Sequence, residues 1–193
     1  MATRARFVLV RSAPLRLLTL TLFYFAQGFP IGLFLYAIPG WMAAGGATTA
    51  EVAAVVGAAA LPWTLKLVNG FILDRYTFLP MGRRRAWIIG AQALIVLVLL
   101  TGAALLPGPR DVFLLSAIGF ATNMAITLQD VGIDSLAVDI MPENERAKAS
   151  GIMFGAQMLG IAAATAIGGA LLEDAGFAIA LTAAALVPGS VLI

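Results

Sequence analysis

Six apolar runs divide this chain, at about 15–38, 51–73, 87–106, 112–140, 149–172 and 177–193, each bounded by a short cluster of charged or turn-forming residues. A helix rises about 1.5 Å per residue, so about 20 residues cross a hydrocarbon core about 30 Å thick. Runs of this length leave few folds open. The predicted fold is an all-α, polytopic membrane protein, a single domain over 1–193 built as a six-transmembrane-helix bundle. With 61% hydrophobic and only 11% charged residues, the composition lies far from that of soluble domains.

The charges themselves report orientation. Arg4, Arg6, Arg11 and Arg16 precede the first run, Arg75, Arg83, Arg84 and Arg85 fall between the second and third, and Arg146 and Lys148 between the fourth and fifth. Arg110 is alone on the opposite side, and Lys66 lies within a run. Cationic loops are retained in the cytoplasm, so the pattern predicts a multi-pass protein of the cytoplasmic (inner) membrane with its N-terminus cytoplasmic. The first run is too long for the apolar core of a signal peptide, and it reads as a retained helix. The basic residues lie beside apolar ends rather than on one face, so the pI near 9.4 reflects topology, with membrane lipid and no nucleic acid as partner.

The chain has neither Cys nor His, which excludes disulfides, thiol chemistry, the usual zinc sets and histidine relays. No metal or other cofactor is implied, and proton chemistry is left to carboxylates or lysine. In the fourth run Asn123, Thr127, Asp130 and Asp134 are spaced i, i+4, i+7, i+11 and share one helix face within roughly 60°. A charge at membrane depth costs at least about 2.5–3.5 kcal/mol, so this stripe should face a cavity or a cation. Lys66 lies at a similar depth and is the candidate cation for Asp134. Two carboxylates one turn apart oppose each other's ionisation, which makes the pair a candidate for proton exchange. An ion pair that only holds two helices together is the competing reading. Gln27, Asn69, Gln92 and Gln157 are further intramembrane polar groups, each expected to bond a neighbouring helix; Gln27 and Gln157 also count as candidates for substrate or proton coupling.

Gly28 and Gly32 flank Pro30 in the first run, either as a packing motif or as a broken helix facing a cavity. Pro62 interrupts the second run. In the fifth, Gly155, Ala162, Ala166 and Gly169 fall within a narrow arc and are expected to form its packing face. Asp139 lies near the membrane surface and away from the polar stripe, so its expected partner is Arg75 or one of Arg83–Arg85. The sixth run stops at Ile193 with no polar flank, which predicts that more protein follows.

Gly70-Phe71-Ile72-Leu73-Asp74-Arg75 followed by Gly82-Arg83-Arg84-Arg85 resembles the G-x-x-x-D-R and G-R-R loop of the major facilitator superfamily. More narrowly, Gln27 to Leu33, Leu61 to Lys66, Asp74-Arg75-Tyr76, Gly82 to Trp87 and Gln129 to Asp134 resemble the branch that contains bacterial muropeptide permeases and acetyl-CoA transporters. The resemblance implies that the six helices are the N-terminal half of a twelve-helix fold, whose C-terminal six-helix half is the missing partner, working by alternating access. It implies coupling roles for Lys66, Asp130 and Asp134, and a conformational latch made by Gly70, Asp74, Arg75, Gly82, Arg83, Arg84, Arg85 and Asp139. Two departures bear on the substrate: Val68-Asn69-Gly70 stands where relatives carry an aromatic and a Pro, and Ser135 to Asp139 lacks an aromatic.

The expected function is a proton-coupled secondary active transporter, not an enzyme, that moves a small polar or amphiphilic solute such as a muropeptide. An integral membrane enzyme acting on a lipid-linked substrate is disfavoured by the lack of His, Cys and D-x-x-D motifs. A non-transporting assembly protein is the third class.

Overall fold

A computed structural model describes residues 9–76 and 84–191, and they form helices throughout with no strand. After a turn of 3₁₀ helix at Leu9–Arg11, α1 (Ala13–Gly32) starts at Ser12, whose hydroxyl accepts from the Leu15 amide at 3.4 Å. Pro30 does not end it. The chain passes into a single π-helical stretch at Leu33–Ala37 and straight on into α2 (Ile38–Ala44), giving one continuous apolar helix of 32 residues. The first span therefore runs six residues beyond its expected end at 38. A π stretch absorbs the register change that a proline imposes on the ladder.

Thr48 and Glu51 form a reciprocal capping box that starts α3 (Thr49–Thr64). One turn after Pro62 the helix breaks at Leu65. The Thr64 hydroxyl takes the Leu61 carbonyl at 2.7 Å, and the Leu65 amide turns to the Pro62 carbonyl at 3.0 Å instead. This tightens the last turn, and α4 (Lys66–Arg75) leaves at an angle of 42°. Lys66 is thus the first residue after a break in the span, not a residue of a straight helix.

The remaining elements are α5 (Arg85–Leu105), α6 (Val112–Ile140), α7 (Glu143–Asp174) and α8 (Phe177–Ser190). Gly176, at φ 88° and ψ 169°, adopts a backbone conformation open essentially to glycine where α7 reverses into α8. Among the described residues four helices are long and apolar enough to cross a membrane, or five when the bent α3–α4 pair is counted as one span. At 14 residues, α8 is a shorter apolar helix.

The tightest packing joins α1 to α7. A Cβ on Gly28 would meet the Gln157 carbonyl, one on Gly32 the Ile161 carbonyl, and one on Gly160 the Phe25 carbonyl. Backbones this close are held by dispersion and need small residues on both sides. The Gly28–Pro30–Gly32 segment is therefore a packing motif. The α7 face is a correction to the expectation: Gly160, Ala164 and Gly168 are buried, whereas Gly155, Ala162 and Ala166 are exposed. The small-residue arc predicted on α7 does not meet α1.

On the other side α3 and α4 lie along α6, and α5 packs between α6 and α8. Phe34 on the π stretch is wholly buried in the main core with Leu99, Leu115, Ile126 and Leu181.

Candidate functional site

Gln27, Lys66, Asp130 and Asp134 come together where α1, α4 and α6 meet. The ammonium of Lys66 lies between the two carboxylates, paired with Asp130 Oδ2 and with Asp134 Oδ2, the latter at 3.1 Å. Each carboxylate then uses its other oxygen on α1. Asp130 Oδ1 accepts from Gln27 Nε2 at 2.8 Å, and Asp134 Oδ1 accepts from the phenol of Tyr24. The break at Leu65 serves this arrangement by placing Lys66 on the first turn of α4.

Above this cluster the polar stripe is closed by α3 and α4. Trp63 Nε1 donates to Asn123 Oδ1 at 3.1 Å, and Asn69 Nδ2 donates to Thr127 Oγ1 at 2.9 Å. Asn123 and Thr127 are fully buried. The stripe therefore faces the broken second span rather than an open cavity along most of its length, since each buried polar atom needs a partner.

The two carboxylates differ in access. The side chain of Asp130 is 3% exposed, whereas Asp134 is 43% and Lys66 40% exposed. Asp134 also lines a cavity of about 430 Å³ between α6 and α7, with Val138, Met141, Arg146, Ser150 and Met153 further along it. Arg146 is held at that end by the carbonyls of Met141 and Val138, at 3.4 and 3.2 Å. With both carboxylates ionised the cluster carries one net negative charge, and one proton makes it neutral. Chemically it is a pair of carboxylates, one sealed and one open, bridged by a lysine.

Residues 16–165 of the chain match the family model described as acetyl-coenzyme A transporter 1. The chain belongs to that family. It is a multi-pass membrane protein of a transporter family, and the matched span covers the whole cluster from Tyr24 to Asp134. The anhydromuropeptide permease of Escherichia coli (strain K12) is 26% identical over 130 residues, covering 66% of this chain and 26% of the permease. The permease of Escherichia coli O157:H7 is similar over the same extent. The chain thus spans about a quarter of the length of these curated relatives.

Of the remaining expected site residues, Gln157 is buried where α7 crosses α1, and its side chain makes no hydrogen bond among the described residues. At the membrane surface Arg84 joins Asp74 at 2.7 Å and Asp139 at 3.5 Å, which ties α4 and α6 to the start of α5. Arg75 and Arg85 make no ion pair among the described residues, and Gly70 faces Val131 across the α4–α6 contact. Gly82 and Arg83 lie outside the described residues.

Three contributors escaped the sequence reading. Tyr24 lies one turn before Gln27 on the same face of α1, a spacing that could have flagged it. Trp63 lies one turn before Lys66. Arg16, read only as a topological charge, is 5% exposed and donates to Glu145 at 2.8 Å and to the carbonyls of Leu9 and Val10. It joins the start of α1 to the start of α7.

Proposed function

We propose that the chain is the N-terminal six-helix half of a twelve-helix major facilitator transporter, a proton-coupled carrier that moves a polar solute by alternating access. The observation that carries this reading is Lys66 bridging a sealed Asp130 and an open Asp134 across three helices. Here a proton arriving at Asp134 cancels one of the two charges that hold Lys66, and the ammonium is left to Asp130 alone. A released donor at this depth can bind an anionic group of the solute, so proton and solute binding are linked through one side chain.

The short α8 is the sixth span in this reading, and the arginine-rich hairpin lies on the cytoplasmic side of the inner membrane with the N-terminus. Asp74, Arg84 and Asp139 form the core of the latch that favours one conformation. The relatives' names make an anhydromuropeptide the first solute to test and acetyl-coenzyme A the second.

The test is solute uptake into vesicles that carry the complete reading frame containing this chain. An imposed pH gradient should drive accumulation, and Asp134→Asn should abolish the response to the gradient. Accumulation by Asp134→Asn that still follows the gradient would remove this carboxylate from the coupling scheme.

A further inference from the structure

Arg84 and Arg85 are consecutive, yet they face different surroundings. Arg84 turns to Asp74 and Asp139. Arg85, about 100° further round the helix, is the first residue of α5 and lines a separate cavity of about 380 Å³ bounded by α1, α5 and α6. Phe23, Ile88, Ile89 and Leu136 make much of its wall, with Leu9 and Val191 at its edge, and Arg85 is the one charged residue among the described residues that line it. Gln92 closes the deep end, with Nε2 donating to the Pro188 carbonyl at 2.5 Å. Gln92 is seven residues from Arg85, which puts about 10 Å of apolar groove between the two.

A cation at the mouth of a hydrocarbon-lined groove matches one kind of molecule, an amphiphile with an anionic head and an apolar tail. Arg85 opens a membrane-length helix, so its guanidinium lies at the level of the lipid headgroups, where an arginine can extend to the interface. Asp74, near the end of α4, and Asp139, near the end of α6, are engaged by Arg84.

We propose that this cavity is a binding site for an anionic phospholipid of the leaflet on which the hairpin lies, its phosphate on Arg85 and one acyl chain along Phe23, Ile88, Ile89 and Leu136. A single arginine suits a singly charged headgroup, such as that of phosphatidylglycerol. Basic pockets between transmembrane helices recognise anionic headgroups in this way. The site shares no residue with the Lys66 cluster and does not depend on the transport reading. A lipid wedged between α1, α5 and α6 would act as a further packing element of the bundle.

The experiment is native mass spectrometry of the purified 193-residue chain released from micelles containing equal amounts of phosphatidylglycerol and phosphatidylcholine. The expected result is retention of phosphatidylglycerol by about five-fold over phosphatidylcholine, the discrimination that one interfacial cation provides. Arg85→Gln should remove the preference, and Arg85→Lys should keep most of it. Ile89→Trp fills the groove and should lower retention of both lipids, whereas glycerophosphoglycerol, the same headgroup without chains, should not bind. The arginine variants decide the matter even if Ile89→Trp fails to fold. Equal retention of the two lipids by the wild type, an undiminished preference in Arg85→Gln, or binding of the free headgroup would each overturn the proposal.

Discussion

The phenol of Tyr24 donates to the carboxylate of Asp134, the same side chain that Lys66 holds at 3.1 Å through its other oxygen. A residue of α1 thereby sets the position of an acid on α6. Tyr24 is 8% exposed, so its end of this bond is not freely replaced by water.

Tyr24→Phe keeps the ring and removes the donor. It should cost about 0.5–1.5 kcal/mol of stability, the usual net value of one hydrogen bond. On the transport reading proposed above, it should weaken proton-driven uptake more than it weakens folding. Thermal unfolding in detergent, compared with uptake at matched expression, separates the two effects.

Lys66→Met leaves two carboxylates facing each other without a cation. Breaking a fully buried pair costs about 3–5 kcal/mol, and the partial exposure of Lys66 reduces this to about 1–3 kcal/mol. Adding Asp130→Asn should recover most of the loss, because the doubly substituted protein again carries at most one net charge at the cluster. Unfolding midpoints of the single and double variants test this, and a double variant no more stable than Lys66→Met would contradict it.

Gly28→Ala or Gly160→Ala should each destabilise the bundle by about 1–3 kcal/mol or more, since the new methyl group points into the backbone of the partner helix. Gly155→Ala is the control. Nothing lies within 4 Å of its added Cβ, so the alanine should be neutral or stabilise α7 by up to about 1 kcal/mol. Equal effects at positions 155 and 160 would contradict the α1–α7 contact described above.

At the hairpin, a double-mutant cycle between Arg84→Ala and Asp74→Asn should show a coupling of about 0.2–1 kcal/mol, as expected for a pair whose carboxylate is exposed. The matching cycle with Arg85→Ala should give none. Both cycles are read from unfolding midpoints in low salt, and raising the salt should shrink the first.

The polar stripe on α6 was legible because helical periodicity alone puts Asn123, Thr127, Asp130 and Asp134 on one face. Lys66 was legible as their cation because depth can be counted from the end of its run. The packing face of α7 was not. That helix is rich in Gly and Ala all round, so two small-residue arcs compete, and only the position of Gly28 and Gly32 on a neighbouring helix selects Gly160 over Gly155. The break at Leu65 was half visible: Pro62 marks an interruption, but the exchange of carbonyl partners among Leu61, Pro62 and Thr64 depends on local rotamers. Asp139 was matched with the arginine cluster, yet which arginine it meets depends on the phase in which α5 begins.

The sequence by itself determined that this chain must be a bundle of membrane-length helices, and which few polar residues would be costly to leave facing lipid. Both follow from one-dimensional quantities, the length of apolar runs and the angle between residues on a helix. The tertiary structure decided which partners those residues have: Tyr24 and Gln27 on α1 for the two acids, Trp63 and Asn69 for the rest of the stripe, and Arg84 rather than Arg85 for Asp74. These choices depend on the relative rotation and tilt of whole helices, which are set by backbone contact between glycines on α1 and α7 and by a 42° bend.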